Sequence, residues 1–185
     1  MIKKGASKLL WQQEDSWRLR LDTLQLPNGR TVQKAAVAHP GAVVLVPIHS
    51  PAGEPPSTNG PEILMLRQYR HALNQTILEL PAGTRGWDED WLLCAQRELR
   101  EETGHRAEKF TPLGQIWPAP GISDELMQLY LAESLSPAPL LGDEDELIEL
   151  TPMPLTELVE MCWNGQLQDA KSIVGILRAA RFLNH

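Results

Sequence analysis

Apolar and polar residues alternate through WRLRLDTLQLPNGRTVQKAAVA (17–38), and the alternation breaks at Asn28-Gly29. A two-residue period marks a strand with one covered face, and Asn-Gly between two such runs is a hairpin turn, so the region predicts a β-hairpin. The next run, GAVVLVPI (41–48), is continuous and β-branched, which predicts a central strand covered on both faces. EILMLRQYR (62–70) predicts the strand pairing back on it, across a Pro- and Gly-rich surface loop, SPAGEPPSTNGP (50–61). TILEL (76–80) is a further short strand, stopped by Pro81 and released into the loop AGTRGW (82–87).

Beyond this loop the period changes. Leu92, Ala95 and Leu99 recur at helical spacing, with Asp88 offered as N-cap and Gly104 as the residue that ends the helix. FTPLGQIW (110–117), LMQLYLA (126–132) and LIELTPM (147–153) predict three more strands, the last preceded by the acidic loop GDEDE (142–146). PLTELVEMCWNGQ (154–166) and AKSIVGILRAARFL (170–183) return to helical spacing. Strands outnumber helices in mixed order, which predicts an α/β sandwich with a mixed sheet. The first hairpin is free to sit apart from that core.

Composition narrows the class. A chain of 185 residues with 42% hydrophobic residues can build one sizeable core. Its formal net charge of −7 argues against a general nucleic-acid surface, which needs a basic stripe, but not against a small phosphorylated substrate carried with metal ions. No apolar run reaches secretory or bilayer-spanning length, so a cytoplasmic protein with no membrane partner is expected. The two cysteines, Cys94 and Cys162, make neither a disulfide framework nor a zinc set.

The predicted helix carries the chemistry. AQRELREETG (95–104) crowds Glu98, Glu101 and Glu102 beside the apolar stripe. Like charges three and four residues apart on a helix destabilise it by about 0.2–0.5 kcal/mol per pair, so something must offset them. Arg97 and Arg100 are one candidate and a divalent cation the other, since Glu98 and Glu102, one turn apart, can converge on a hard ion. A solvated face of Arg–Glu pairs would explain the helix alone, but not the register of the flanking residues.

Gly83, five residues, Glu89, seven residues and then Arg97-Glu98-Leu99-Arg100-Glu101-Glu102-Thr103-Gly104 resemble the Nudix box, G-x5-E-x7-R-E-U-x-E-E-x-G-U, with His105 in place of the final aliphatic residue. The resemblance implies an α/β/α sandwich and a metal-dependent hydrolase of nucleoside diphosphates linked to another moiety. It implies Glu98 and Glu102 as ligands of Mg2+, or of Mn2+, with Glu101 auxiliary and the carbonyl of Ala82 a further ligand. Arg97 then orients the glutamates by ion pairing, Glu89 among them.

RQYRHALNQTILELPAG (67–83), APGISDELMQLYLA (119–132), DEDELIEL (143–150) and DAKSIVGILRAA (169–180) extend the likeness to the ADP-ribose pyrophosphatase branch, whose proline downstream of the box is matched by Pro120. That branch implies hydrolysis of ADP-ribose to AMP and ribose 5-phosphate, with a general base on the downstream acidic loop, Glu144 or Glu146, the other one reaching a metal. Arg67 and Arg70 suit a diphosphate or terminal ribose, because guanidinium donors match phosphate oxygens in a fork. Asp124 or Glu125 suits a ribose hydroxyl or the support of the metal site, and Trp11, Trp87 and Trp117 are candidates for stacking on adenine. Residues 1–40 are expected as an N-terminal β subdomain exchanged across a homodimer, with Arg18, Arg20 or Arg30 acting in trans, and 41–185 as the hydrolase domain. GDP-mannose or another ADP-linked compound on the same scaffold, and a module that binds ADP-ribose without cutting it, are the alternatives.

Overall fold

The computed structural model describes residues 1–13, 16–49, 60–141 and 147–184. Three strands come first: β1 (Lys3–Gln12), β2 (Arg18–Gln25) and β3 (Thr31–Ala38), an antiparallel sheet in the order β1-β2-β3. β2 and β3 form the expected hairpin. Its turn is closed by the Gly29 N–H on the carbonyl of Leu26 at 3.0 Å, and Gly29 has φ 80°, the left-handed backbone that glycine adopts without strain. β1 was not anticipated. Its ten residues lack a clean two-residue period, and β2 supplies the pairing edge with two register shifts.

The other strands form one sheet: β4 (Ala42–His49), β5 (Glu62–Arg70), β6 (Gln75–Glu79), β7 (Ala82–Thr84), β8 (His105–Ile116), β9 (Met127–Pro137) and β10 (Ile148–Pro154). The order is β10-β5-β4-β9-β8, with β6 against β5 and β7 against β4. β4 and β9 run parallel and the other pairs antiparallel, so the sheet is mixed. β7 lies where a loop was expected. Three residues are too few to show a period, and their pairing with Ala42–Val44 is visible only in three dimensions.

Helix α1 (Trp91–Thr103) covers one face, where Cys94, Ala95 and Leu99 pack on Val43, Leu45, Tyr130 and Ala132. Helices α2 (Leu155–Asn164) and α3 (Ala170–Phe182) cover the other, where Leu155, Ile176 and Ala179 pack on Val44, Val46, Leu129 and Leu131. The alternate residues of β4 thus feed two cores, the reason for its unbroken apolar run. Each fully buried Leu, Ile or Val contributes about 1.5–3 kcal/mol. The arrangement is the expected α/β/α sandwich with a further N-terminal sheet.

Two details of α1 differ from expectation. Its N-cap is Asp90, whose carboxylate accepts from the N–H groups of Leu92 and Leu93, so the helix begins later than Asp88 would start it. Leu92 is 41% exposed, and Cys94 takes its place in a buried stripe that also includes Glu98 and Glu102. Gly104, at φ 70°, ends the helix as expected. His105 opens β8, its Nδ1 2.6 Å from the Thr103 carbonyl.

Candidate functional site

Glu98 and Glu102 stand one turn apart on the covered face of α1, 8% and 7% exposed. Opposite them runs the segment from β6 into β7. The N–H of Ala82 donates to Glu102 Oε2 at 2.8 Å, and an ideal Cβ on Gly83 would fall 1.8 Å from the Glu98 carboxyl carbon. Glycine at 83 is therefore what lets a strand and a carboxylate occupy one place. Pro81 fixes the approach, its carbonyl accepting from Leu45 N–H at 2.8 Å.

Arg97 gathers the remaining acids. It donates through Nε to Glu89 Oε1 at 3.0 Å and through Nη2 to Glu89 Oε2 at 3.1 Å, while Nη1 lies 2.7 Å from Glu98 Oε1 and 2.8 Å from Glu101 Oε2. The Gly86 N–H holds Glu89 Oε2 at 2.9 Å. The Arg97 bonds hold the Glu89 carboxyl below the usual range, and the Glu89 bond in turn raises Arg97, against the opposing pull of burial. Like-charge repulsion on the helix is thus partly offset by one guanidinium. That guanidinium reaches three of the four acids, Glu89, Glu98 and Glu101, while Glu102 is held by the Ala82 N–H.

Hard carboxylate and carbonyl oxygens are the donors that Mg2+ or Mn2+ takes. Among the described residues no three His, Cys, Asp or Glu side chains converge as a closed metal cage. Mg2+ keeps several waters and is held through one or two carboxylates together with substrate phosphates. Glu98 and Glu102 are the two carboxylates set against the Ala82–Gly83 backbone, and Glu101 lines the same cavity as Glu98.

Glu98 and Glu101 open into a cavity of about 980 Å³, which Arg70, Glu79, Glu125 and Lys171 also line. Gln13 and Ser16, between β1 and β2, stand at its mouth, so the N-terminal sheet reaches the site of its own chain. The volume lies within the range of small-ligand sites, roughly 300–1,000 Å³.

The structure separates residues that the sequence presented in pairs. Arg70 lines the cavity with its fork on Glu79, whereas Arg67, three positions earlier on β5 and so on the opposite face, lies exposed beside Gln75 and Gln168 in a groove of about 410 Å³. Glu125 faces the cavity, and burial pushes its carboxyl up against the opposing influence of Lys171. Asp124 instead accepts from Arg20 Nη1 at 2.7 Å and from the His39 N–H at 2.9 Å, tying the N-terminal sheet to the core. Burial would raise the Asp124 carboxyl, but these bonds outweigh it and the net shift is downward.

The tryptophans are dispersed. The Arg18 guanidinium lies 4.4 Å over the Trp87 ring, Trp11 stands 5.0 Å from Trp17, and Trp117 is exposed. Arg18 and Arg20 are thus engaged within their own chain. Glu144 and Glu146 lie outside the described residues.

Sequence reasoning missed Glu79, Asp169 and Lys171, which build one wall of the cavity. Their signals were present: a lone acid inside the apolar TILEL, and an Asp three residues before Ser172, where α3 is capped.

Residues 39–174 match the family model of the NUDIX domain. An ADP-ribose pyrophosphatase of Bacillus subtilis (strain 168) is 34% identical over 160 residues, 85% of this chain and 82% of that protein. A methanol dehydrogenase activator of Bacillus methanolicus is 35% identical over 161 residues, 86% of this chain and 82% of its own length. A solved structure of an ADP compounds hydrolase superposes with a TM-score of 0.80 over 99% of this chain and 94% of that chain at 20% identity, a likeness of fold.

Proposed function

We propose, from the premise that this chain belongs to the NUDIX family, that it is a hydrolase splitting the pyrophosphate bond of ADP-ribose, or of a related nucleoside diphosphate sugar, with a divalent cation. Water adds to one phosphorus, the bridging P–O bond breaks, and ADP-ribose yields AMP and ribose 5-phosphate. The observation that carries this reading is the approach of Glu98 to Gly83 and of Glu102 to the Ala82 N–H, one turn apart on α1, with Glu98, Ala82 and Gly83 lining a cavity that also presents Arg70. The curated ADP-ribose pyrophosphatase relative supports the substrate class.

Glu98, Glu102 and the Ala82 carbonyl would hold Mg2+ or Mn2+, with Glu101 auxiliary. When bound, the cation supplies charge neutralisation of the diphosphate and polarisation at phosphorus. Arg97 keeps Glu89, Glu98 and Glu101 in fixed orientation, so the carboxylates need no rearrangement as substrate arrives. Arg70 receives phosphate oxygens, and Glu125 accepts a substrate hydroxyl. Arg67, on the opposite face of β5, and Asp124, held by Arg20 and the His39 N–H, take no part in this assignment. Glu144 or Glu146 takes the proton of the attacking water, a role that rests on sequence resemblance.

Residues 1–40 form a dimerisation subdomain and 41–185 the hydrolase domain. β1 supports this, since it leaves Leu9, Leu10 and Trp11 exposed, a surface that a second copy would cover. Two free thiols, Cys94 and Cys162, suit the cytoplasm. Among the described residues no helix is long and apolar enough to cross a membrane.

The test is release of the nucleotide and phosphorylated products, separated by chromatography, with Mg2+ across ADP-ribose, GDP-mannose, NADH and a diadenosine polyphosphate. Preference for ADP-ribose is expected. Faster GDP-mannose turnover would keep the metal site and overturn the substrate. Absence of turnover, with ADP-ribose still raising Tm, would leave a binding module.

A further inference from the structure

Glu79 ends β6 with 1% of its surface exposed, and a carboxylate so buried is stable only when paired. Arg70 grips it in a fork, Nε to Oε1 at 2.8 Å and Nη2 to Oε2 at 3.0 Å. The Lys171 ammonium, from the first turn of α3, donates to Oε2 as well. Lys171 is itself buried and donates to Asp169 Oδ2 at 2.9 Å. Arg70, Glu79, Lys171 and Asp169 thus form a row of alternating charge along one wall of the cavity.

The row is anchored at the α3 end. Asp169 Oδ2 caps the helix by accepting the Ser172 N–H at 3.1 Å and takes the Ser172 hydroxyl as well. Ser172 Oγ accepts the Leu80 N–H at 2.7 Å, so one helical turn holds both the Glu79 side chain and the backbone of the next residue.

Lys171 is poorly placed to hold an anion itself, because Glu79 and Asp169 both accept from its ammonium and Glu125 faces it. Arg70 sits at the end of β5 with 37% of its side chain exposed, on the lining of the cavity. A bidentate fork makes guanidinium and carboxylate coplanar, so the plane of Glu79 sets the plane of Arg70. We propose that Lys171 is a positioning residue which, by sharing Glu79, fixes the Arg70 guanidinium at the cavity wall in the orientation that receives a substrate phosphate. The proposal rests on the reading of the cavity as a nucleoside diphosphate sugar site.

The experiment is a double-mutant cycle on the full chain, measuring KM and kcat for ADP-ribose at saturating Mg2+. Lys171→Met should raise KM about tenfold, the size of one charge-assisted hydrogen bond, with kcat and the Mg2+ activation midpoint little changed. Arg70→Ala should do at least as much, and the double variant should be no worse than Arg70→Ala alone, because both changes remove one contact. Lys171→Arg should restore most of the loss. A normal KM in Lys171→Met, or effects that multiply in the double variant, would overturn the proposal.

Should Lys171→Met fail to fold, Glu79→Gln with Lys171→Met removes two opposite buried charges together, and the same rise in KM is expected. If the parent does not turn ADP-ribose over, the functional reading falls, and the same cycle is read in Kd by calorimetry. A parent that neither cuts nor binds any of the four nucleotides overturns both.

Discussion

The Glu98 carboxylate occupies the space that a side chain at residue 83 would need, with an ideal Cβ on Gly83 falling 1.8 Å from its carboxyl carbon. The backbone at 83 is not left-handed, so alanine is conformationally allowed there and only the contact forbids it. Gly83→Ala should displace Glu98 and lower kcat/KM about 10²-fold, the scale of an ångström-sized misplacement, while the chain still folds. Wild-type turnover in Gly83→Ala, with Tm intact, would show that the close approach has no catalytic consequence.

Glu98→Gln and Glu102→Gln keep the side-chain volume and remove one anionic ligand each. Each should lower activity by about 10²-fold or more and shift the Mg2+ activation midpoint upward. Titration of AMP release against Mg2+ reads both effects. A Glu98→Gln protein as fast as the parent would sink the ligand assignment.

Asp124 and Glu125 are neighbours with different expected phenotypes. Arg20→Ala removes the ion pair that ties the N-terminal sheet to Asp124 and a second one to Asp22 within that sheet, together worth about 1 kcal/mol. The expected fall in Tm is about 2–4 °C, with KM unchanged. Glu125→Gln should raise KM instead. A large rise in KM for Asp124→Asn at constant Tm would restore Asp124 as a substrate contact.

Stability against pH should carry opposite signatures from two carboxyls. Glu89 is held low by Arg97, so its contribution is fully present above the ordinary glutamate range and is lost as pH falls through the lowered native value. Glu125 is pushed up by burial, so its ionisation subtracts stability as pH rises from the ordinary range through the raised native value. Tm profiles between about pH 3 and 8 should therefore show Glu89→Gln losing stability at neutral pH and Glu125→Gln gaining it. The reverse pattern would contradict both environments.

The general base is separated by kcat. Of Glu144→Gln and Glu146→Gln, the one that removes the base should lower kcat about 10²-fold or more with KM little changed. Parent-like kcat in both, and in their combination, would move the base elsewhere, with Glu125 the next candidate.

By itself the sequence determined what depends on near neighbours. The two-residue period of 17–38, the unbroken run of 41–48 and the helical spacing of the tail gave the strands, the doubly covered β4 and the two C-terminal helices. The box from Gly83 to Gly104 was legible for the same reason, since one loop and one helix place Glu98 and Glu102 one turn apart. The opposite faces of Arg67 and Arg70 were implicit in strand alternation, but only the packed sheet shows which face meets the cavity.

Tertiary structure alone decided what joins distant segments. β1 exists because β2 offers an edge, and Asp124 turns from the cavity because Arg20, 104 residues away, draws it. Lys171 meets Glu79 across 92 residues only because α3 packs beneath the end of β6. A buried ion pair has no sequence period, since its partners are chosen by the fold that removes them from water.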